Sequence, residues 1–205
     1  MPTIRIDAGA QPSQAETHVF TFKEGLLSSM AHDLRLKVTR WNLTWDTEAK
    51  VLEAAWDAGS LLVDCVMRDG REAAGVLGAK DLDKIAKSVR EDVLTVARYP
   101  HIKFRSTRVA ADGADAWAVD GELELHGVKR TVSARATRAA AGSPPPGSEA
   151  DPRRAFAREA DRWVAEVTLH QPDFGIKPYS AMLGALKIKP AVRVRVSVAT
   201  AAVAG

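Results

Sequence analysis

The chain has 205 residues, 46% of them hydrophobic and 27% charged, a globular composition with enough apolar material for a sizeable core. Twenty-nine basic against 26 acidic residues leave a net charge of only +3, too thin an excess for a dedicated nucleic-acid binder, and the single Cys65 excludes an intrachain disulfide. Met1 to Asp7 lacks the apolar run of a secretory signal, and charges interrupt every stretch before the ~18 apolar residues of a membrane span, so a soluble cytoplasmic protein is expected.

One domain is expected over residues 1–205, with 1–17 as an N-terminal extension. From His32 to Trp45, Leu34, Leu36 and Val38 share one face while Trp41, Leu43 and Trp45 sit on the opposite parity; a bulge near Thr39-Arg40 reconciles them. Val51–Leu61 reads as a strand with Leu52, Ala54, Trp56 and Ala58 together, and Val63–Lys80, with Asp69-Gly70, Gly75 and Gly78, as an irregular excursion. The only convincing helix follows, with Leu82, Ile85, Ala86, Val89, Val93, Val96 and Ala97 at three-and-four spacing. Asp81 is its expected cap and Tyr99-Pro100 its end. Its apolar stripe covers either an open end of a barrel or an exterior sheet face.

Strands are then predicted at Ile102–Val109, Trp117–His126, Val128–Thr137 and Trp163–Leu169. In the second of these, Trp117, Val119, Leu123 and Leu125 share a face on which Gly121 leaves space. In the last, Trp163, Ala165, Val167 and Leu169 point inward. Residues 139–152, Ala-rich and then Gly142-Ser143-Pro144-Pro145-Pro146, read as a flexible loop between neighbouring strands. Two prolines and Gly175 break the stretch from Gln171 to Ser180. Val192, Val194, Val196 and Val198 alternate with Arg193, Arg195 and Ser197 in the clearest strand, which would extend about 40 Å if it continued to Val203. The whole is all-β: a closed antiparallel lipocalin-like barrel of about eight strands with one capping helix, with a two-sheet sandwich as the competing architecture.

Chemistry-bearing patterns are sparse. The five histidines, His18, His32, His101, His126 and His170, lack metal-ligand spacing, and no metal or cofactor is expected. There is no nucleophile elbow and no phosphate loop, and Cys65 sits in an apolar context typical of an inert thiol. His32 shares the parity of Leu34 and Leu36 and so points inward, either as a satisfied core histidine or as a polar handle for a ligand head group. Asp33 faces the other way, against a direct dyad. The apolar stretch around the flexible Met182 suits a wall for a deformable hydrocarbon or ordinary core packing. Basic residues on Val128–Arg138 and Lys187–Arg195 read as a solvated face or as a transient contact with an anionic membrane surface.

Several segments together resemble the YceI-like family of lipid-binding, lipocalin-like barrels. They are Thr21-Phe22-Lys23 leading to Ala31-His32-Asp33-Leu34, Arg90-Glu91-Asp92-Val93-Leu94, Tyr99-Pro100-His101-Ile102-Lys103-Phe104-Arg105-Ser106-Thr107, Leu123-Glu124-Leu125-His126-Gly127-Val128 and Phe174-Gly175-Ile176. They run in order from about His18 to Val198, the Tyr-Pro and His-Gly pieces being the most specific. The resemblance implies an extended barrel closed by a helix and holding a polyisoprenoid or isoprenoid quinone along its axis, in a protein that is not an enzyme. Many family members are exported, whereas no leader is visible here. Phe20, Phe22, Leu34, Leu36, Phe104, Trp163, Phe174 and Met182 are expected to line the cavity, with His32 and Tyr179 contacting the head group. The expected partner is an apolar lipid, with no nucleic acid; a homodimer is a further partner expectation. A cavity enzyme or stress-response factor using His32, and an interaction module with a side-chain-filled core, are the alternatives.

Overall fold

The computed structural model describes residues 3–24, 32–139, 161–181 and 186–203. Strands β1 (Thr3–Asp7), β2 (Ala15–Thr21), β3 (Lys23–Glu24), β4 (Asp33–Val38), β5 (Trp41–Asp46), β6 (Val51–Asp57), β7 (Leu61–Arg68) and β8 (Arg71–Ala73) precede helix α1 (Ala79–Ser88). After it come β9 (His101–Ala111), β10 (Ala116–Leu125), β11 (Val128–Ala139), β12 (Arg162–His170), β13 (Ser180–Ala181), β14 (Leu186–Ile188), β15 (Ala191–Ala199) and a closing turn of helix α2 (Thr200–Val203). The predicted 139–152 loop lies, beyond Ala139, outside the described residues.

The protein is mainly β, but the sheet is not a closed eight-strand barrel. Twelve strands pair antiparallel in the order β1-β5-β6-β9-β10-β11-β12-β15-β2-β4-β7-β8, curled into an open half-barrel whose edges β1 and β8 are unpaired with each other. The bulge expected at Thr39-Arg40 is not found either. There the chain does not bulge within one strand; it leaves β4, which pairs with β2 and β7, and begins β5, which pairs with β1 and β6. No ladder joins β4 to β5. The corner is held instead to the end of β6 and the turn after it: Arg40 donates to Asp57, its backbone N–H to the Ser60 hydroxyl at 3.0 Å, and its carbonyl accepts the Asp57 backbone N–H at 3.0 Å. A separate three-stranded sheet, β13-β14-β3, stands beside the ends of β2 and β15.

Other expectations shift for identifiable reasons. The first seventeen residues are not wholly an extension, since β1 and the start of β2 belong to the sheet. Val63–Lys80 is largely β7 and β8, joined by a tight turn with Asp69 and Gly70 at φ 52° and 78°. A register shift opposite Arg35-Leu36 moves the buried parity from Val63 to Val66 and hides the alternation. Val51–Leu61 divides at a 3-10 turn, Ala58–Ser60. The last strand stops at Ala199 rather than Val203.

Helix α1 begins at a Gly78 cap without a side-chain hydrogen bond, Asp81 lying inside its first turn, and runs into a π-helical turn, Val89–Val93. It packs on the inner face of β4 and β7, where Ala86 joins Leu34, Leu36, Val38, Leu61, Val63 and Val66, while Val93 and Leu94 reach a second cluster around Leu123, Leu169, Phe174 and Ile176. A third cluster joins Ile6 and Ala8 to Ala15, Trp41, Leu43 and Val198, so the N-terminal segment covers the other end of the curl.

Candidate functional site

The concave side of the sheet and α1 enclose a cavity of about 1030 Å³ lined mostly by apolar side chains, at the upper end of the range for small-molecule sites. The side chains reach it by strand parity. Val192, Val194, Val196 and Val198 of β15 line it, as do Trp163, Ala165, Val167 and Leu169 of β12, and Trp117, Val119, Leu123 and Leu125 of β10. From the helix come Ile85, Val89 and Val93, which settles the helix as a cover on the inside of the curl.

Gly121 leaves room for the Phe104 ring, since a Cβ there would overlap it and stand 2.5 Å from the Arg105 carbonyl oxygen. The His126-Gly127 pair forms the β10–β11 turn with φ of 53° and 74°. The Tyr99 ring lies 2.7 Å from where a Gly127 Cβ would be and 4.2 Å, between centroids, from His126. This turn therefore anchors the chain after α1 against the sheet.

Large lining residues are exposed at both ends of the strands. At one, Tyr179 is 40% exposed and shares the lining with His32, Thr21, Lys84 and Ser88. At the other, Trp117 is 37% exposed and shares it with Trp45, Trp163, Thr47 and Lys50.

Of the residues expected at the site, His32, Leu34, Leu36, Phe104, Trp163 and Tyr179 do line this cavity. Phe20 and Phe22 do not. In β2 the lining residues are Thr17, Val19 and Thr21, and Phe20, paired with Arg193 and Arg35, faces outward beneath the guanidinium groups of Arg193 and Arg195 at 4.8 and 5.2 Å from its centroid. The outward parity of the arginines on β15 was the available signal. Phe174 is buried in the 3-10 turn Gln171–Phe174, against Leu169 and Leu123, and Ile176 takes the lining position. Met182 lies outside the described residues. Sequence reasoning missed Trp45, Trp117, Lys50 and Lys84 as rim residues.

His32 is half-buried, and among the described residues no hydrogen-bond partner faces its ring. Asp33 accepts the Lys23 backbone N–H at 2.8 Å and is not aimed at it. The polar cluster of the molecule is on the opposite, convex face: Arg35 bridges Asp64 and Glu72, and His18 sits 4.0 Å from Asp64. Burial pushes the His18 imidazole down to about 4, against the pull of Glu16 and with the push of Arg35. These charges belong to the wall, not the lumen. Among the described residues no group of three or more His, Cys, Asp or Glu is placed to hold a metal ion, and no helix is long and apolar enough to cross a membrane.

Residues 13–200 match the family described as the YceI-like domain. A UPF0312 protein of Pseudomonas putida strain W619 is 33% identical over 139 residues, 66% of this chain and 59% of that protein. One from Pseudomonas savastanoi pv. phaseolicola is 38% identical over 87 residues, 42% of this chain and 40% of that protein. The match thus spans under two thirds of these curated relatives' length. Among solved structures, BcnA of Burkholderia cenocepacia superposes with a TM-score of 0.58 at 12% identity, over 93% of this chain and 96% of its own. A polyisoprenoid binding domain from Saccharophagus degradans, implicated in plant cell wall breakdown, superposes with a TM-score of 0.51 at 12% identity, over 96% and 98%. At such identity the likeness is one of fold.

Proposed function

The chain belongs to the YceI-like family, and from that premise we propose that it binds an elongated apolar lipid, a polyisoprenoid or an isoprenoid quinone, in the lumen, for storage or transport and without catalysis. The observation that carries this reading is the apolar cavity of about 1030 Å³ itself, which a module with a side-chain-filled core would lack. The description of the Saccharophagus domain supports the same ligand class. Burying ~20 ligand carbons at ~0.8 kcal/mol each gives ~16 kcal/mol gross, of which ordering and association costs remove a large part. Micromolar to nanomolar binding then needs no polar contact, and the head group is left to His32 and Tyr179 at the exposed mouth. Leu34, Leu36, Phe104 and Trp163 would contact the chain.

Trp45, Trp56, Trp117 and Trp163 line the lumen, so their fluorescence tests the reading. Titration with an isoprenoid quinone is expected to quench it saturably at one ligand per chain. Absence of saturable quenching, with the protein folded, would overturn the proposal.

A further inference from the structure

The two mouths of the cavity differ in charge. Around the tryptophan-lined mouth three arginines are tied to carboxylates, Arg108 to Asp120 at 3.5 Å, Arg135 to Asp112 at 2.6 Å, and Arg138 to both Asp115 and Asp161, while Lys50 of the lining is in no such pair among the described residues. At the mouth lined by Tyr179, the small sheet β13-β14-β3 and the residues flanking it carry cations that are not so tied. Lys177, Lys187 and Lys189 are exposed, and among the described residues none of them has a carboxylate within ion-pair distance. Glu24 stands across from Lys187 in register, Asp33 is engaged with the Lys23 backbone, and Asp173 faces His170 at 3.3 Å. Those three carboxylates keep their charge, but Lys23, Lys177, Lys187 and Lys189 with Lys84 of the lining outnumber them, so the rim keeps an excess of positive charge.

The same short strands are two-sided. On β14, Leu186 and Ile188 line the cavity, while Lys187 alternates with them and Lys189 follows. Tyr179, half in the lumen and half in solvent, adds an aromatic ring with a hydroxyl at the lip, a residue type suited to the boundary between water and hydrocarbon. A lipid entering here passes from a cationic edge to an apolar wall within one residue step.

We propose that this lysine-bearing mouth docks on an anionic phospholipid surface, and that the cargo enters and leaves through it. The purpose of docking rests on the lipid-binding reading above, but docking is measured separately from cargo. Each lysine near an anionic surface contributes about fivefold in partitioning, and the attraction is screened by salt.

The experiment is co-sedimentation of the protein with vesicles of phosphatidylcholine alone or mixed with phosphatidylglycerol, beside quinone binding read by fluorescence. The expected result is binding that requires phosphatidylglycerol, falls with salt, and drops about a hundredfold in a Lys177→Ala/Lys187→Ala/Lys189→Ala variant that still binds quinone. Equal binding to both vesicle types, or a triple variant that binds as the parent does, overturns the proposal. So does loss of vesicle binding in Trp117→Ala with the triple variant unaffected, which would assign docking to the other mouth. Intact vesicle binding without quinone binding contradicts the carrier reading and leaves the docking surface standing.

Discussion

The indole N–H of Trp56, on β6, donates to the hydroxyl of Thr17, on β2, at 2.9 Å, joining two strands that are not neighbours in the sheet. The bond spans the curl where no backbone ladder does, and Trp41 stacks on the same indole at 5.8 Å. Thr17 is 2% exposed and Trp56 half-buried, so the bond satisfies a hydroxyl shielded from water. Trp56→Phe and Thr17→Val are each expected to lower the unfolding free energy by about 1–3 kcal/mol, and the double variant to lose less than the sum. Urea denaturation of the four proteins checks this; strictly additive losses would show that the bond contributes nothing.

Gly121 is required by the Phe104 ring. In Gly121→Ala the ring can shift but the Arg105 carbonyl, 2.5 Å from the new Cβ, cannot do so cheaply. A loss of about 1–3 kcal/mol is expected, with only partial recovery in Gly121→Ala/Phe104→Leu. Full recovery in that double variant would mean that the ring alone sets the constraint.

His18 makes stability depend on acidity. Its folded value, about 4, lies below the ordinary 6.5, because burial disfavours the cation. The unfolded chain therefore takes up the proton first. The native state keeps its full advantage above about pH 6.5 and loses it as pH falls toward 4, by on the order of 3 kcal/mol in all. Thermal melts between pH 7 and 5 are expected to show this decline in the parent and a flatter profile in His18→Gln. Equal slopes in the two would contradict the assignment.

His32 is predicted to matter little for affinity. A single head-group hydrogen bond is worth about 0.5–1.5 kcal/mol net, so His32→Ala should weaken quinone binding by roughly threefold to tenfold. A loss of several hundredfold would move the binding energy from the apolar wall to this residue.

The lumen was legible in the sequence wherever a strand kept one parity from end to end. Trp163 to Leu169 and Val192 to Val198 declared their inward faces, and the structure puts them there. Where parity changes, the pattern failed: the register shift between Val63 and Val66 concealed β7, and the corner at Thr39-Arg40 passed for a bulge. Phe20 was misplaced because hydrophobicity alone suggested the lumen, although its β15 neighbour Arg193 faces out and carries Phe20 with it. Closure was beyond alternation altogether, since period two states which side of a strand is buried but not whether the sheet's edges meet. The Trp56–Thr17 bond, between residues far apart in sequence, leaves no local trace.

Lipid carriage stands or falls on what occupies the lumen. Protein purified without added lipid should be examined by native mass spectrometry and by organic-solvent extraction, in parallel with an Ala165→Trp variant that fills the middle of the cavity. An isoprenoid-type lipid, one per chain, is expected in the parent, and little or none in the folded variant. A parent that carries no lipid and accepts neither a polyprenol nor an isoprenoid quinone when offered, or a variant that retains as much lipid as the parent, would rule out a lipid held in the lumen.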